Sequence, residues 1–332
     1  MIVNTFQIDK SNGDRLDIYL VEKLHPISRS KIKTYIKGSL ILVNGNKVKP
    51  GCILQKGDII KVTIKDNIQN NIQILPEKMK IDVLYEDDYV IAVNKPSGIV
   101  VHPGVKNNTG TLVNGLVYHF DRLSDINGNL SRGIVHRLDA DTSGIILAAK
   151  TNEAHLWLSK QFKDRTVNKT YVSITWGKWE EKSGVIEGWI SRKKSDPTTF
   201  MFSDISENGK YSKTNYSVDK QYQNFAKVLF YPVTGRTHQI RVHSSFIGNP
   251  IFGDEKYGGG VKKGKEYKPE LYKYFSNQLG KLRRHALHAF SIEFELFKSG
   301  GKRIKLDAPI PEDFVDLEES LLGHESLSLI HI

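Results

Sequence analysis

Asp139 is the residue most suggestive of chemistry in this chain. It lies in residues 133–150, GIVHRLDADTSGIILAAK, where a polar loop carries His136, Arg137, Asp139 and Asp141 between two apolar runs, Ile134-Val135 and residues 145–149. Both runs read as strands, and loops held between rigid strands are where catalytic groups concentrate. Taken alone, the Asp139 carboxylate has four uses: nucleophile, general base, metal ligand, or one half of a structural ion pair. Asp141-Thr142-Ser143-Gly144 has the composition of a turn. His136 has no partner at metal-binding spacing, although His102, His119, His238 and His243 could gather with it. A metal-dependent phosphodiesterase on His136 and Asp139 is therefore one hypothesis. Neither Gly-x-x-x-x-Gly-Lys-Ser/Thr nor Gly-x-Ser-x-Gly occurs, so a phosphate loop and a serine-hydrolase elbow are not expected.

The elements around this loop indicate two domains. With 332 residues, 39% of them hydrophobic, the chain suits one large globular domain plus a small one. No apolar run is long enough for a membrane helix, and the N-terminus has no signal-peptide pattern. The single cysteine, Cys52, sits in an apolar context and reads as a small core residue. It allows no intrachain disulfide, which fits a cytoplasmic protein. The net charge of +11 favours a polyanionic partner, nucleic acid before membrane.

Residues 1–70 carry twelve basic and six acidic side chains. Leu16, Tyr19, Leu20 and Leu24 have helical spacing. A second helix, capped by Ser28, buries Ile32, Tyr35 and Ile36 and stops at Gly38. Arg29, Lys33 and Lys37 recur every fourth residue and form a basic stripe on it. Asn44-Gly45 marks a hairpin turn. A basic helix beside a small hairpin sheet suits structured RNA, bound through shape and phosphates; a merely solvated face is the alternative. Residues 71–79, within a polar stretch, read as a linker. Residues 80–318 alternate many strands with a few helices, which argues α+β rather than a doubly wound sheet. Residues 319–332 show no packing pattern and read as a disordered tail.

Two resemblances sharpen this. Residues 15–62, with SRSKIKTYIKGSLILVNGNKVKPG at their centre, resemble the small RNA-binding domain shared with ribosomal protein S-four. GIVHRLDADTSGIILAAK, preceded by Val93-Asn94-Lys95-Pro96-Ser97-Gly98 and followed by Lys169-Thr170-Tyr171-Val172 and residues 234–243, TGRTHQIRVH, resembles the RluA-type pseudouridine synthases. Residues 101–104 and 110–116 are most similar to the RluD-like branch, which acts on large-subunit ribosomal RNA. Ala140, where lysine is common, departs from the pattern. The resemblance implies an α+β catalytic domain with a mixed, mainly antiparallel sheet. It implies isomerisation of specific uridines in 23S-type ribosomal RNA, without cofactor or metal. Asp139 matches the catalytic aspartate, Tyr171 the active-site tyrosine and Arg241 the arginine paired with the aspartate. Arg137, with Arg29, Lys33 and Lys37, is expected to contact RNA. The protein is expected to be a monomer with no protein partner and no membrane attachment. Other readings are a synthase acting on different ribosomal or transfer RNA uridines, and a non-catalytic ribosome-assembly factor. Without the resemblance, Tyr171 reads as a strand aromatic and Arg241 as a surface charge.

Overall fold

The structure is a computed structural model. It describes the whole chain except residues 1, 10–12, 25–26, 28, 65–73, 105–106, 108, 206–208, 268–271 and 331–332. The expected Ser28 cap, residues 71–73 of the linker and parts of the loop after Gly104 thus lie outside the described residues. The chain divides into two compact units, Met1–Gln73 and Ile74–Ile332. Among the described residues, no helix is long and apolar enough to cross a membrane.

In the first unit, strand β1 (Ile2–Gln7) is followed by helices α1 (Leu16–Lys23) and α2 (Arg29–Lys37), then β2 (Ile41–Val43) and β3 (Ile59–Ile64). The strands form an antiparallel sheet in the order β1-β3-β2. Leu16, Leu20, Ile32, Tyr35 and Ile36 fill the core with Ile41, Ile60 and Val62, as the helical spacing predicts. Asn44 and Gly45 both take positive φ, the geometry an Asn-Gly turn supplies without steric cost.

The second unit is built on one sheet. It contains β4 (Asp82–Glu86), β5 (Val90–Lys95), α3 (Leu112–His119), β6 (Ser143–Ala149), α4 (Asn152–Asp164), β7 (Asn168–Trp176), β8 (Ser183–Lys193), β9 (Asp196–Ser203), β10 (Lys210–Gln221), β11 (Phe225–Pro232), α5 (Gln239–Phe246), α6 (Val261–Tyr267), α7 (Tyr272–Leu282), β12 (Leu287–Glu295), β13 (Arg303–Asp307) and α8 (Glu312–Ile330). The strand order is β4-β5-β6-β12-β7-β11-β10-β8-β9, and every pairing is antiparallel except β6 with β12. β12 forks the sheet: its start pairs with β6 and its later residues pair with β13. β6 is buried along its whole length, as a central strand with both faces covered must be. One core cluster gathers around Trp176, whose ring packs on Phe225, Phe252 and Phe275.

Three sequence expectations differ from this. Ile134 and Val135 do not form a strand; Ile134 makes a single bridge to Ala148. Gly133, at φ +70°, turns the chain there, so the apolar pair is tucked inward without being extended. β9 was missed because it is polar and starts Asp196-Pro197; it lies at the sheet edge, where proline needs no ladder partner. The segment read as a tail is helical up to Ile330, and Leu321 is buried.

The fork places the loop that carries Asp139. Gly144 on β6 lies opposite Ala289 on β12, and Ala289 lies opposite Tyr171 on β7. A row across three strands thus brings residues far apart in sequence together. Gly144 takes φ +113°, and a Cβ there would sit 2.2 Å from the Ala289 carbonyl oxygen. Gly144→Ala is therefore expected to lower the unfolding free energy by at least about 3 kcal/mol, read as a shift of the urea midpoint.

Candidate active site

Asp139 ends in an ion chain. Its Oδ2 accepts from Arg241 Nη1 at 3.0 Å. Arg241 in turn grips Asp254 with two parallel bonds, Nε to Oδ2 at 2.7 Å and Nη2 to Oδ1 at 2.8 Å. Asp254 is 2% exposed and Arg241 8%, whereas the Asp139 side chain is 22% exposed. The guanidinium is thus clamped at its buried end and presents its remaining arm to a carboxylate that faces the opening. Burial works against the charge on Arg241, but the hydrogen bonds and charges of Asp254 and then Asp139 outweigh it and raise its pKa above the usual value. Its carbon also sits 5.0 Å from the centre of the Tyr257 ring, a cation–π contact. Asp254 was not legible beforehand: it lies in a glycine-rich loop, thirteen residues beyond Arg241, with no spacing that signals the pair.

The loop itself is pinned by its backbone. Lys95 is fully buried, and its Nζ donates to the carbonyls of Pro96, Ile99 and Ala140 at 2.8, 2.9 and 2.8 Å. The Gly98 N–H donates to the same Ala140 carbonyl at 2.9 Å. An ammonium with three donors is thereby satisfied by three carbonyls, one of them next to Asp139. Burial lowers the Lys95 pKa to about 8, against the raising effect of Asp141 and Asp139. On the other flank, Thr142 Oγ1 is 2.7 Å from His285 Nε2, and Ser143 Oγ is 2.9 Å from His288 Nδ1.

Arg241 is placed by the turn before α5. Gln239 is buried; its Oε1 accepts from Thr234 Oγ1 and the Arg236 N–H, and its Nε2 donates to the Lys213 carbonyl and Thr214 Oγ1. His238, at φ +55°, lies with Nδ1 2.7 Å from the Tyr257 hydroxyl and Nε2 3.8 Å from Asp139. The Phe200 N–H donates to that phenol oxygen. Burial lowers the His238 pKa, against the opposing effect of Asp139.

Asp139, His238, Gln239 and Arg241 line a pocket of about 130 Å³ together with Arg137, Lys169 and Tyr171. Tyr171 is half-buried, and burial, then the charge of Asp139, push its phenol above the ordinary tyrosine value. A phenol held protonated suits stacking and hydrogen-bond donation better than direct proton abstraction. Lys169, two residues earlier on β7 and so on the same face, has its pKa lowered to about 8 by burial.

His136 has a different place. Its Nε2 accepts the Leu147 N–H at 2.8 Å, and its ring stacks on Phe162 at 4.6 Å. Burial, then Lys169, lower its pKa to about 3. It ties the loop to β6 as a neutral ring. In the first unit, Arg29 and Lys33 are not a free stripe. With Arg15 they surround Asp17, which is fully buried, at 3.0, 3.6 and 3.0 Å from Arg29, Lys33 and Arg15. Lys37 is exposed. Helical periodicity revealed the cations but not the acid that faces two of them.

Two outcomes follow from this arrangement. Asp254→Asn leaves the Arg241 charge without its buried partner and is expected to cost about 3–5 kcal/mol in urea unfolding; Asp139→Asn, at the open end, should cost about 1 kcal/mol or less. The second concerns acid. Because the folded pKa of His136 lies below its unfolded value of 6.5, the unfolded chain binds the extra proton first as pH falls. Stability therefore drops as pH falls from 6.5 toward 3. His136→Gln should remove about 1.4 kcal/mol per pH unit from that slope between pH 6 and 4; an unchanged slope would show the ring to be charged in the fold.

Comparison with known proteins agrees with this geometry. Residues 89–246 match the family described as RNA pseudouridylate synthase, and residues 14–60 match the S4 domain. The chain is 37% identical over 313 residues to the uncharacterized RNA pseudouridine synthase YlyB of Bacillus subtilis, covering 94% of this chain and 96% of that protein. It is 34% identical to ribosomal large subunit pseudouridine synthase D of Pasteurella multocida, covering 93% and 91%. Among solved structures, human RNA pseudouridylate synthase domain containing 1 superposes with a TM-score of 0.52 at 27% identity, covering 69% of this chain and 83% of that one. The chain belongs to the RNA pseudouridine synthase family and carries an S4 domain ahead of its catalytic unit.

Proposed function

We propose that this protein converts specific uridines of large-subunit, 23S-type ribosomal RNA to pseudouridine, with Asp139 as the catalytic carboxylate. The observation that supports it most is the meeting of Asp139, Tyr171 and Arg241, from three separate segments, around one pocket. Relatives from Pasteurella multocida and Haemophilus influenzae that match over 93% of the chain are named ribosomal large subunit pseudouridine synthase D.

The reaction breaks the uridine N1–C1′ bond, turns the base, and joins C5 to C1′ with loss of the C5 hydrogen. N1 takes up a proton as C5 loses one, so substrate and product are isomers and no redox partner enters. A carboxylate can add to C1′, add to the base, or take a sugar proton. In each case it must be ionised and aimed, and Arg241, clamped by Asp254, does the aiming. Tyr171 provides a ring on which the turned base stacks. The target nucleotide must leave its helix, at about a few kcal/mol, offset by contacts to its neighbours. Arg137 at the pocket, and Arg29, Lys33 and Lys37 in the S4 domain, supply such contacts. Asp17 holds the first two in place and offsets part of their charge. A monomer working in the cytoplasm, beside ribosomal RNA, completes the reading.

The test is release of tritium from C5-labelled uridine in ribosomal RNA. Wild type should release it, and Asp139→Ala should lower the rate by at least about 10³-fold, the scale of losing an essential catalytic group. Release undiminished in that variant would remove Asp139 from the chemistry, and none from wild type would overturn the proposal.

A further inference from the structure

A cleft of about 450 Å³ adjoins the catalytic pocket and shares Arg137, Lys169 and Arg236 with it. Its other walls include Phe162, Lys163 and Arg165. Five of these six side chains are cations, and no acidic residue lines the cleft. Among the described residues, none of Lys163, Arg165 and Lys169 has a carboxylate within ion-pair distance. The contrast on the same helix is direct: Lys160 pairs with Asp164 at 2.6 Å, whereas Lys163, next to that carboxylate in sequence, makes no close ion pair among the described residues. Arg236 is steered by its Nε bond to the Tyr211 carbonyl at 2.8 Å.

Arg165 adds an independent point. It ends α4 at φ +62°, a left-handed conformation in which glycine or asparagine is the low-cost choice. An arginine there incurs steric cost and sets a long cation on the cleft wall. Phe162, stacked on His136, offers an apolar surface beside these charges. Unpaired cations interleaved with an aromatic ring are the makings of a single-strand nucleic-acid groove.

We propose that this cleft holds the nucleotide adjoining the target uridine, with Lys163 and Arg165 as contacts to its phosphodiester. The inference rests on the function proposed above. Its geometric basis is continuity: a strand whose target nucleotide occupies the pocket beside Asp139 passes Arg137 and Lys169 as it leaves, and enters the cleft. Lys169 stands at the junction, where burial has lowered its pKa to about 8 and an approaching phosphate would favour its charged form.

The experiment uses the full chain and a ribosomal RNA fragment. Lys163→Gln/Arg165→Gln is expected to raise KM about tenfold with kcat within about threefold, and to flatten the salt dependence of log(kcat/KM) by about 1.4, at about 0.7 per charge on a single strand. Both side chains are exposed, so folding is not at stake. Lys160→Gln/Lys305→Gln removes the same charge outside the cleft and should change neither quantity. Unchanged KM and salt slope in the cleft variant, or equal shifts in the control, overturn the inference. Filter binding of the same RNA to wild type and both double variants reads the cleft independently of turnover. If wild type forms no pseudouridine, the function fails; a selective loss of binding in the cleft variant alone would still support the subsite.

Discussion

The site depends on one interaction, the two-handed grip of Arg241 on Asp254. A guanidinium is a planar fork, and two of its edges are used here by two different carboxylates. The inner pair is bidentate and almost fully buried, so its direction is set by covalent geometry rather than by solvent. The outer arm then has little freedom, and Asp139 meets a donor whose position is decided elsewhere. A lysine could neutralise Asp139 but could not be held at one end while pointing with the other. This explains why a charged residue is tolerated on the buried face of α5, where its desolvation would otherwise be costly.

The same logic of fixing a group from behind extends to the backbone. Asp139 lies in a loop, yet the loop is attached at Ala140 by Lys95 and Gly98, at Thr142 by His285, and at Gly144 by close approach to β12. The attachments come from β5, from the segment before β12 and from β12 itself. The sheet fork is what brings them together: without the short parallel contact between β6 and β12, Tyr171 and Asp139 would belong to separate parts of the molecule. Irregular backbone at the site is thus held by regular structure around it.

What could be read from the chain alone follows from this division. Asp139, Tyr171 and Arg241 were singled out through the resemblance carried by the runs they lie in, and the fold brings the three to one pocket. The S4 helices were legible because Leu16, Leu20, Ile32 and Ile36 keep helical spacing. Asp254, Lys95 and Asp17 were not read correctly, since each matters only through contacts that folding creates. Lys95 stood out only as part of the run Val93-Asn94-Lys95-Pro96-Ser97-Gly98, and Asp17 as one of six acids among twelve cations. Ile134 and Val135 misled for the opposite reason: apolar residues beside a turn bury themselves without extending. Polar β9 escaped notice because an edge strand needs neither alternation nor apolar faces.

Charge is unevenly distributed around the site. Asp139 is the acidic side chain lining the pocket and is held by Arg241, while Arg137, Lys169 and Arg236 line the same pocket. Lys163, Arg165 and Lys169, which have no carboxylate at ion-pair distance among the described residues, stand on the neighbouring wall and attract a phosphate. The pairing of lysines along α4 is uneven too. Lys160 is paired with Asp164, while Lys163 lines the cleft. The net charge of +11 therefore acts less as a uniform attraction for RNA than as a set of local surpluses, some of them placed beside the pocket that holds Asp139.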